Sequence, residues 1–300
     1  MSQKEKERRA LCVSIIANFI FTAAGIWIFY LTNIQALFLD CFFSFVAFLS
    51  SIAAFIISKA SKRKTKHYPD GLHFLEPLYA ILKSILTLSL LIFSVYSTAI
   101  TAWNYFFNGV GEAMNTSPVL PYTIAMVTMC FSLAFYNHWQ NHKINGTSTI
   151  LKAESKTNFV DGLQSLGIGV AVVLLSFIDI NGSLGFLHYT GDFFITTILA
   201  LFSLKEPVQV IISAFRELSG GTTDDKELEK TICASLNRNL KTEKINLKKY
   251  KISKTGMYIS VFIYLSNIAE MGSYTTIFRE KIYKELKEKY ENIEIVLCES

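Results

Sequence analysis

Apolar and polar positions divide the chain into two unlike parts. Six apolar runs, at roughly 10–31, 35–58, 75–107, 119–138, 158–178 and 186–215, are separated by short polar connections. A helix rises about 1.5 Å per residue, so about 20 apolar residues cross roughly 30 Å of hydrocarbon. Each run is long enough to do so, and lipid offers the backbone no hydrogen-bond partner, so each is expected to be helical. From residue 219 the pattern changes. "SGGTTDDKELEKTICASLNRNL" opens on a Gly-Gly break, offers Thr222 or Thr223 as a helix cap, and then repeats apolar positions at helical spacing. "INLKKYKIS" and "MYISVFIYLS" are rich in β-branched and aromatic residues, and "KTG" between them suits a hairpin turn. An amphipathic stretch, "GSYTTIFREKIYKELKEKY", and a short strand, "IEIVLC", follow. The expected fold is an α-helical membrane protein with six transmembrane helices over residues 1–218. A cytoplasmic α+β domain of order αββαβ, built on an antiparallel sheet, would occupy residues 219–300.

Composition agrees with that division. Hydrophobic residues make up 51% of the chain, and the mean hydropathy is +0.34, too apolar for an ordinary soluble domain. The first run lacks a small-residue cleavage site, so no cleaved signal is expected there. Cations mark the sides. "KEKERR" precedes the first run, "SKASKRKTKHY" joins the second to the third, and Lys143, Lys152 and Lys156 join the fourth to the fifth. The positive-inside rule then puts both termini in the cytoplasm, in what is expected to be the plasma (inner) membrane. The net charge of +5 therefore describes topology. No basic-aromatic surface motif accompanies it, and no nucleic-acid partner is expected. The five cysteines show no paired spacing, and neither a phosphate loop, an HExxH motif nor a nucleophile elbow is present. An enzyme is not expected.

Two acids interrupt the apolar runs. Asp40 lies in "ALFLDCFFSFV" and Asp161 in "TNFVDGLQSLG". A charge at mid-membrane costs about 2.5 kcal/mol or more, so it normally faces a partner, a cavity or an ion. Ser44 lies one helical turn after Asp40; Thr157 and Asn158 lie one turn before Asp161. Asp40, Ser44, Thr157, Asn158 and Asp161 together form an oxygen-only donor set suited to a hard or borderline cation. Capping or a hydrogen bond to a neighbouring helix is the competing use of each acid. Lys83, Asp192 and Glu206 stand nearer the ends of their runs, where an interfacial role is expected.

Five segments in order give the chain a family likeness. "NIQALFLDCFFSFVAFLSSIAAF", "YPDGLHFLEPL", "LKAESKTNFVDGLQSLGIGV", "GDFFITTILALF" with "ISAFRELSGG", and Asn18 resemble the cation diffusion facilitator family. The resemblance implies a homodimeric exporter of divalent metal cations driven by proton antiport, with a ferredoxin-like cytoplasmic domain and no permanently bound cofactor. The partners it implies are the metal cation, a counter-proton, membrane lipid and a second copy of the chain. It also implies a tetrahedral ion site whose four positions align with Phe43, Ala47, Thr157 and Asp161, of which only Asp161 keeps a ligand. Asp40 aligns with an acid that the family often carries three residues before the first ligand. Some branches share the Asp-x-x-x-Ser pattern of span two and a proline like Pro207. His67 and His73 stand beside Tyr68 and Leu72, the positions that align with second-metal ligands of some relatives. His138 and His142 have a spacing that could chelate, although solvation is the commoner use. Two readings remain open: a transporter whose ion site has shifted by about a turn, and a transport-inactive partner or sensor subunit.

Overall fold

The computed structural model of the chain describes residues 2–32, 35–111, 119–179, 181–182, 184–243, 247–266 and 274–299. Every expected apolar run lies on a helix: α1 (Gln3–Thr32), α2 (Gln35–Ala60), α3 (Leu75–Asn108), α4 (Val119–His142), α5 (Thr149–Ser176), and the pair α6 (Leu187–Ser203) and α7 (Lys205–Leu218). Among the described residues, four stretches are long and apolar enough to cross a membrane: Gln3–Tyr30, Leu75–Asn108, Leu120–His142 and Leu187–Leu218. Their outward faces carry Trp27, Tyr30, Trp103, Phe135 and Phe202 in the open. An exposed apolar surface on that scale needs lipid to cover it, and the protein is an integral membrane protein.

The last run was expected as one helix and is assigned as two. Leu204, between α6 and α7, keeps helical dihedrals and its N–H still reaches Ala200 O at 2.9 Å. The break has a covalent cause: Pro207 has no N–H to donate back to Ser203. Elsewhere the bundle closes on small side chains. A Cβ at Gly162 of α5 would sit 2.9 Å from the ring of Phe131 on α4, so only glycine allows these two helices to approach as they do. Phe21 of α1 and Tyr122, Met126, Cys130 and Leu133 of α4 form an apolar core beside that contact.

The α/β unit follows as α8 (Lys226–Glu243), β1 (Leu247–Thr255), β2 (Tyr258–Leu265), α9 (Tyr274–Lys287) and β3 (Ile293–Glu299). Its helix, strand, strand, helix, strand order is the expected one, but its sheet is mixed. β1 pairs antiparallel with β2, and β2 pairs parallel with β3. The reason is the connection: β1 and β2 share a tight turn, whereas α9 carries the chain back before β3, as a crossover must for a parallel pair. The cap of α8 also differs from expectation. Asp225 Oδ1 accepts from the N–H groups of Glu227 and Leu228 at 3.1 Å, while Thr223 accepts from Asp225 one step earlier. Leu228, Ile232 and Leu236 of α8 and Phe278, Ile282 and Leu286 of α9 bury against Ile259, Val261 and Ile263 of β2.

The β1–β2 turn is the joint between the two parts. Met257 is buried among Ala10, Leu11, Tyr79, Ile144, Ile150 and Leu151 of the helical bundle. Beside it, Gly256 N–H donates to Glu217 at the end of α7 at 3.1 Å, and the Tyr258 ring stacks on His73 at 5.7 Å.

Candidate functional site

Helices α2, α3 and α5 bound a small cleft of mixed polar and apolar lining. Its wall consists of Val46, Ala47 and Ser50 from α2, Lys83, Leu86, Thr87 and Leu90 from α3, and Thr157, Asp161 and Gln164 from α5. The spacings 83, 87, 90 and 157, 161, 164 are one-face helical spacings, so each helix turns a single stripe toward the cleft. The space inside is about 20 Å³, room for one water-sized occupant. Thr157 donates its hydroxyl proton to Ala153 O at 3.0 Å, and its oxygen keeps lone pairs to offer. Oxygen groups of this kind suit a hard cation better than a thiolate-seeking one.

Below the cleft wall lies a buried ionic network. Lys83 and Tyr79 both donate to Oε1 of Glu154, and Ser51 donates to Oε2 at 3.0 Å. Asn18 of α1 donates to Ser51 at 2.8 Å, so four helices meet around one carboxylate. Lys83 and Glu154 are 3% and 0% exposed. Nearby, Ser14 of α1 and Asn137 of α4 exchange hydrogen bonds at 2.9 and 3.1 Å.

The candidate ligands divide three ways. Thr157 and Asp161 line the cleft. Ser44 is buried on α2, and Asn158 is 2% exposed on α5; neither lines it. The Nδ2 of Asn158 has no hydrogen-bond partner within the bundle. The side chain of Asp40 lies outside the described residues, as does that of Asp192. Ala47 lines the cleft, so an apolar methyl stands where the family resemblance implies a ligand. Among the described residues, no three His, Cys, Asp or Glu side chains converge as a metal cage.

One expectation for a single residue changes. Lys83 was expected at an interface; it is buried, because Glu154 across the α3–α5 seam compensates its charge. Glu206 is half-buried and pairs with Lys156 at 2.5 Å, which fits an end-of-span role. The sequence reading did not single out Glu154. Its available signal is spacing: residues 154, 157 and 161 recur at i, i+3 and i+7, the stripe that Asp161 already marked. Of the histidines, His73 is buried 3.4 Å from Glu76. His138 and His142 are exposed, and His188 contacts Ile178 O at 2.8 Å.

No curated relative matches the chain. The family model for the cation efflux transmembrane domain matches residues 11–219, a stretch that holds most of α1, all of α2 through α7, the cleft and the Glu154 network. The protein therefore belongs to the cation efflux family, membrane proteins that transport metal cations.

Proposed function

We propose that the protein exports a divalent metal cation by alternating access, in exchange for a proton. In this reading six helical crossings place both termini in the cytoplasm of the plasma (inner) membrane. The α/β unit of residues 219–300 is a ferredoxin-like cytoplasmic domain that assists homodimerisation. The cation passes through the cleft between α2, α3 and α5, bound by Asp161 and Thr157. Asp40 is the second carboxylate, with Ser44 and Asn158 as auxiliary oxygen donors.

The observation that carries the reading is the position of Asp161. It shares a cleft of about 20 Å³ with Thr157 and Gln164, half-buried on a membrane-spanning helix where a carboxylate is costly. A small space with an acid, an amide and hydroxyls in its wall offers the oxygen donors a dehydrated cation requires.

The test is flux into proteoliposomes with a panel of Mn²⁺, Co²⁺, Zn²⁺ and Cd²⁺, with and without a pH gradient. Wild-type protein is expected to carry at least one ion, faster with the gradient imposed, and Asp161→Ala is expected to abolish flux while leaving assembly intact. A fully active Asp161→Ala removes that residue from the path.

One observation favours a second reading, a transport-inactive partner or sensor subunit: Ala47 lines the cleft at a position where the resemblance implies a ligand. No flux of any ion from a folded protein would select it.

A further inference from the structure

The cleft contains a cation that belongs to the protein itself. Lys83 forms part of its wall, and the ammonium of Lys83 contacts Glu154, three residues before Thr157 and seven before Asp161 on the same helix. Seven residues are two helical turns, about 10.5 Å along the axis. The two carboxylates thus lie on one stripe of α5, and Lys83 reaches that stripe from α3. The lysine also borders the space that holds about one water-sized occupant.

The Lys83–Glu154 pair could be simple packing between α3 and α5. An apolar pair would do that work as well, because the desolvation of two buried charges offsets most of their attraction. Proximity to the cleft gives the pair a second consequence. Any cation at Asp161 feels the field of both Lys83 and Glu154, and inside the bundle that field is weakly screened. With the lysine present, Glu154 is cancelled and the attraction for a cation comes chiefly from Asp161. Without it, an uncompensated Glu154 would stand behind the cleft wall, two turns from Asp161 on the same helix, and the cleft would hold a divalent ion more tightly.

We propose that Lys83 sets the cleft's affinity: a tethered cation, it cancels Glu154 and keeps the hold on a divalent ion weak enough for release. The proposal rests on the reading of the cleft as the cation path. Lys83 acts through Glu154 and through the field in the cleft; it does not coordinate the ion.

The signature is a pair of shifts of opposite sign. In full-length protein in detergent, binding of Mn²⁺, Co²⁺ and Zn²⁺ is measured by equilibrium dialysis for each variant, with size-exclusion chromatography to check folding. Lys83→Met is expected to tighten divalent binding by at least about tenfold and to slow flux. Glu154→Gln leaves the ammonium uncompensated and is expected to weaken binding by a similar factor. The double variant, Lys83→Met with Glu154→Gln, is expected to return near wild type. A purely structural pair gives no such pattern: both single variants would lose binding together, or neither would move. Either result overturns the proposal. Should Lys83→Met fail to fold, Glu154→Gln and the double variant still decide, since unchanged affinity in Glu154→Gln contradicts the field argument. Asp161→Asn separates the two levels. If it abolishes binding while the Lys83 and Glu154 variants bind like wild type, only the role of Lys83 falls. If Asp161→Asn binds like wild type, or no ion binds any variant, the cation-path reading falls with it.

Discussion

The ammonium of Lys4 lies 2.6 Å from Glu76 Oε1 and 2.7 Å from Glu7 Oε1, with all three side chains at most 2% exposed. In the sequence, Lys4 is one of a run of charges before the first span, where its natural reading is a topology signal. In the fold it neutralises two buried acids, one of them at the start of α3. Ser58 of α2 donates to the same Glu7 oxygen, so the pairing ties three helices together.

Removing Lys4 therefore strands charge. Lys4→Met should destabilise the protein by about 3–5 kcal/mol, the usual cost of breaking a buried pair from one side. Lys6→Met, two residues away and only half-buried, should stay within about 0.5 kcal/mol. Denaturation of the detergent-solubilised protein compares the two. Equal small effects would mean that Glu7 and Glu76 find other compensation.

Gly256 holds the α/β unit against the bundle. Its φ is +59°, and an added Cβ would lie 2.7 Å from His73 O and 2.8 Å from the Glu76 carboxylate. Gly256→Val is strained by both conformation and contact, and should lift Met257 out of its apolar seat. The Lys62–Glu291 ion pair, 3.5 Å apart, reports on docking, because a carbodiimide can join an amine to a carboxylate at that range. Peptide mapping should find the Lys62–Glu291 link in wild type and at less than about half that yield in Gly256→Val. Equal yields would show that the turn does not hold the joint.

How much of this was legible depends on the distance over which each residue acts. The apolar runs specified their helices, because hydrophobic length is a local property; α3 begins and ends within a residue of its expected limits. The α6–α7 break was not anticipated, although Pro207 carries its cause locally. Asp161 could be singled out because an acid in an apolar run is conspicuous by itself. Lys83 and Glu154 are 71 positions apart, and Lys4 and Glu76 are 72. Each of those residues looks like a span-end charge until its partner is known. The parallel β2–β3 pairing was hidden similarly: strand composition marks a strand, whereas its direction follows from how α9 packs on the sheet.

Tyr258 gives the joint an alkaline limit. Burial first, and then its hydrogen bond to Glu294 at 3.0 Å, push its hydroxyl well above the usual tyrosine range. The folded state thus favours the neutral phenol. Its contribution is complete below the unfolded value, near pH 10, and is lost as pH rises toward the higher folded value. Between about pH 9 and about pH 11 the urea midpoint should fall more for wild type than for Tyr258→Phe, which has no proton to lose. Parallel falls would place the alkaline sensitivity elsewhere.

Ala47, Thr157 and Asp161 line one cleft, which makes the lost ligand set restorable. Zinc takes nitrogen and carboxylate donors in a tetrahedral arrangement. Ala47→Asp supplies a carboxylate from α2, and Thr157→His an imidazole one turn before Asp161. Without metal the new aspartate would crowd Asp161, but Lys83 in the same wall offsets part of that repulsion. The double variant should therefore fold, retain zinc through desalting, and bind it at least about tenfold more tightly than wild type, a difference of about 1.4 kcal/mol. A zinc-dependent rise in its melting temperature should accompany binding, because the ion selects the folded state. Thr157→His alone should gain less, since two ligands on one helix leave the coordination shell open on the α2 side. Metal analysis of the folded protein decides the matter: a double variant that retains no more zinc than wild type would mean that the facing stripes of α2 and α5 do not converge closely enough to share an ion.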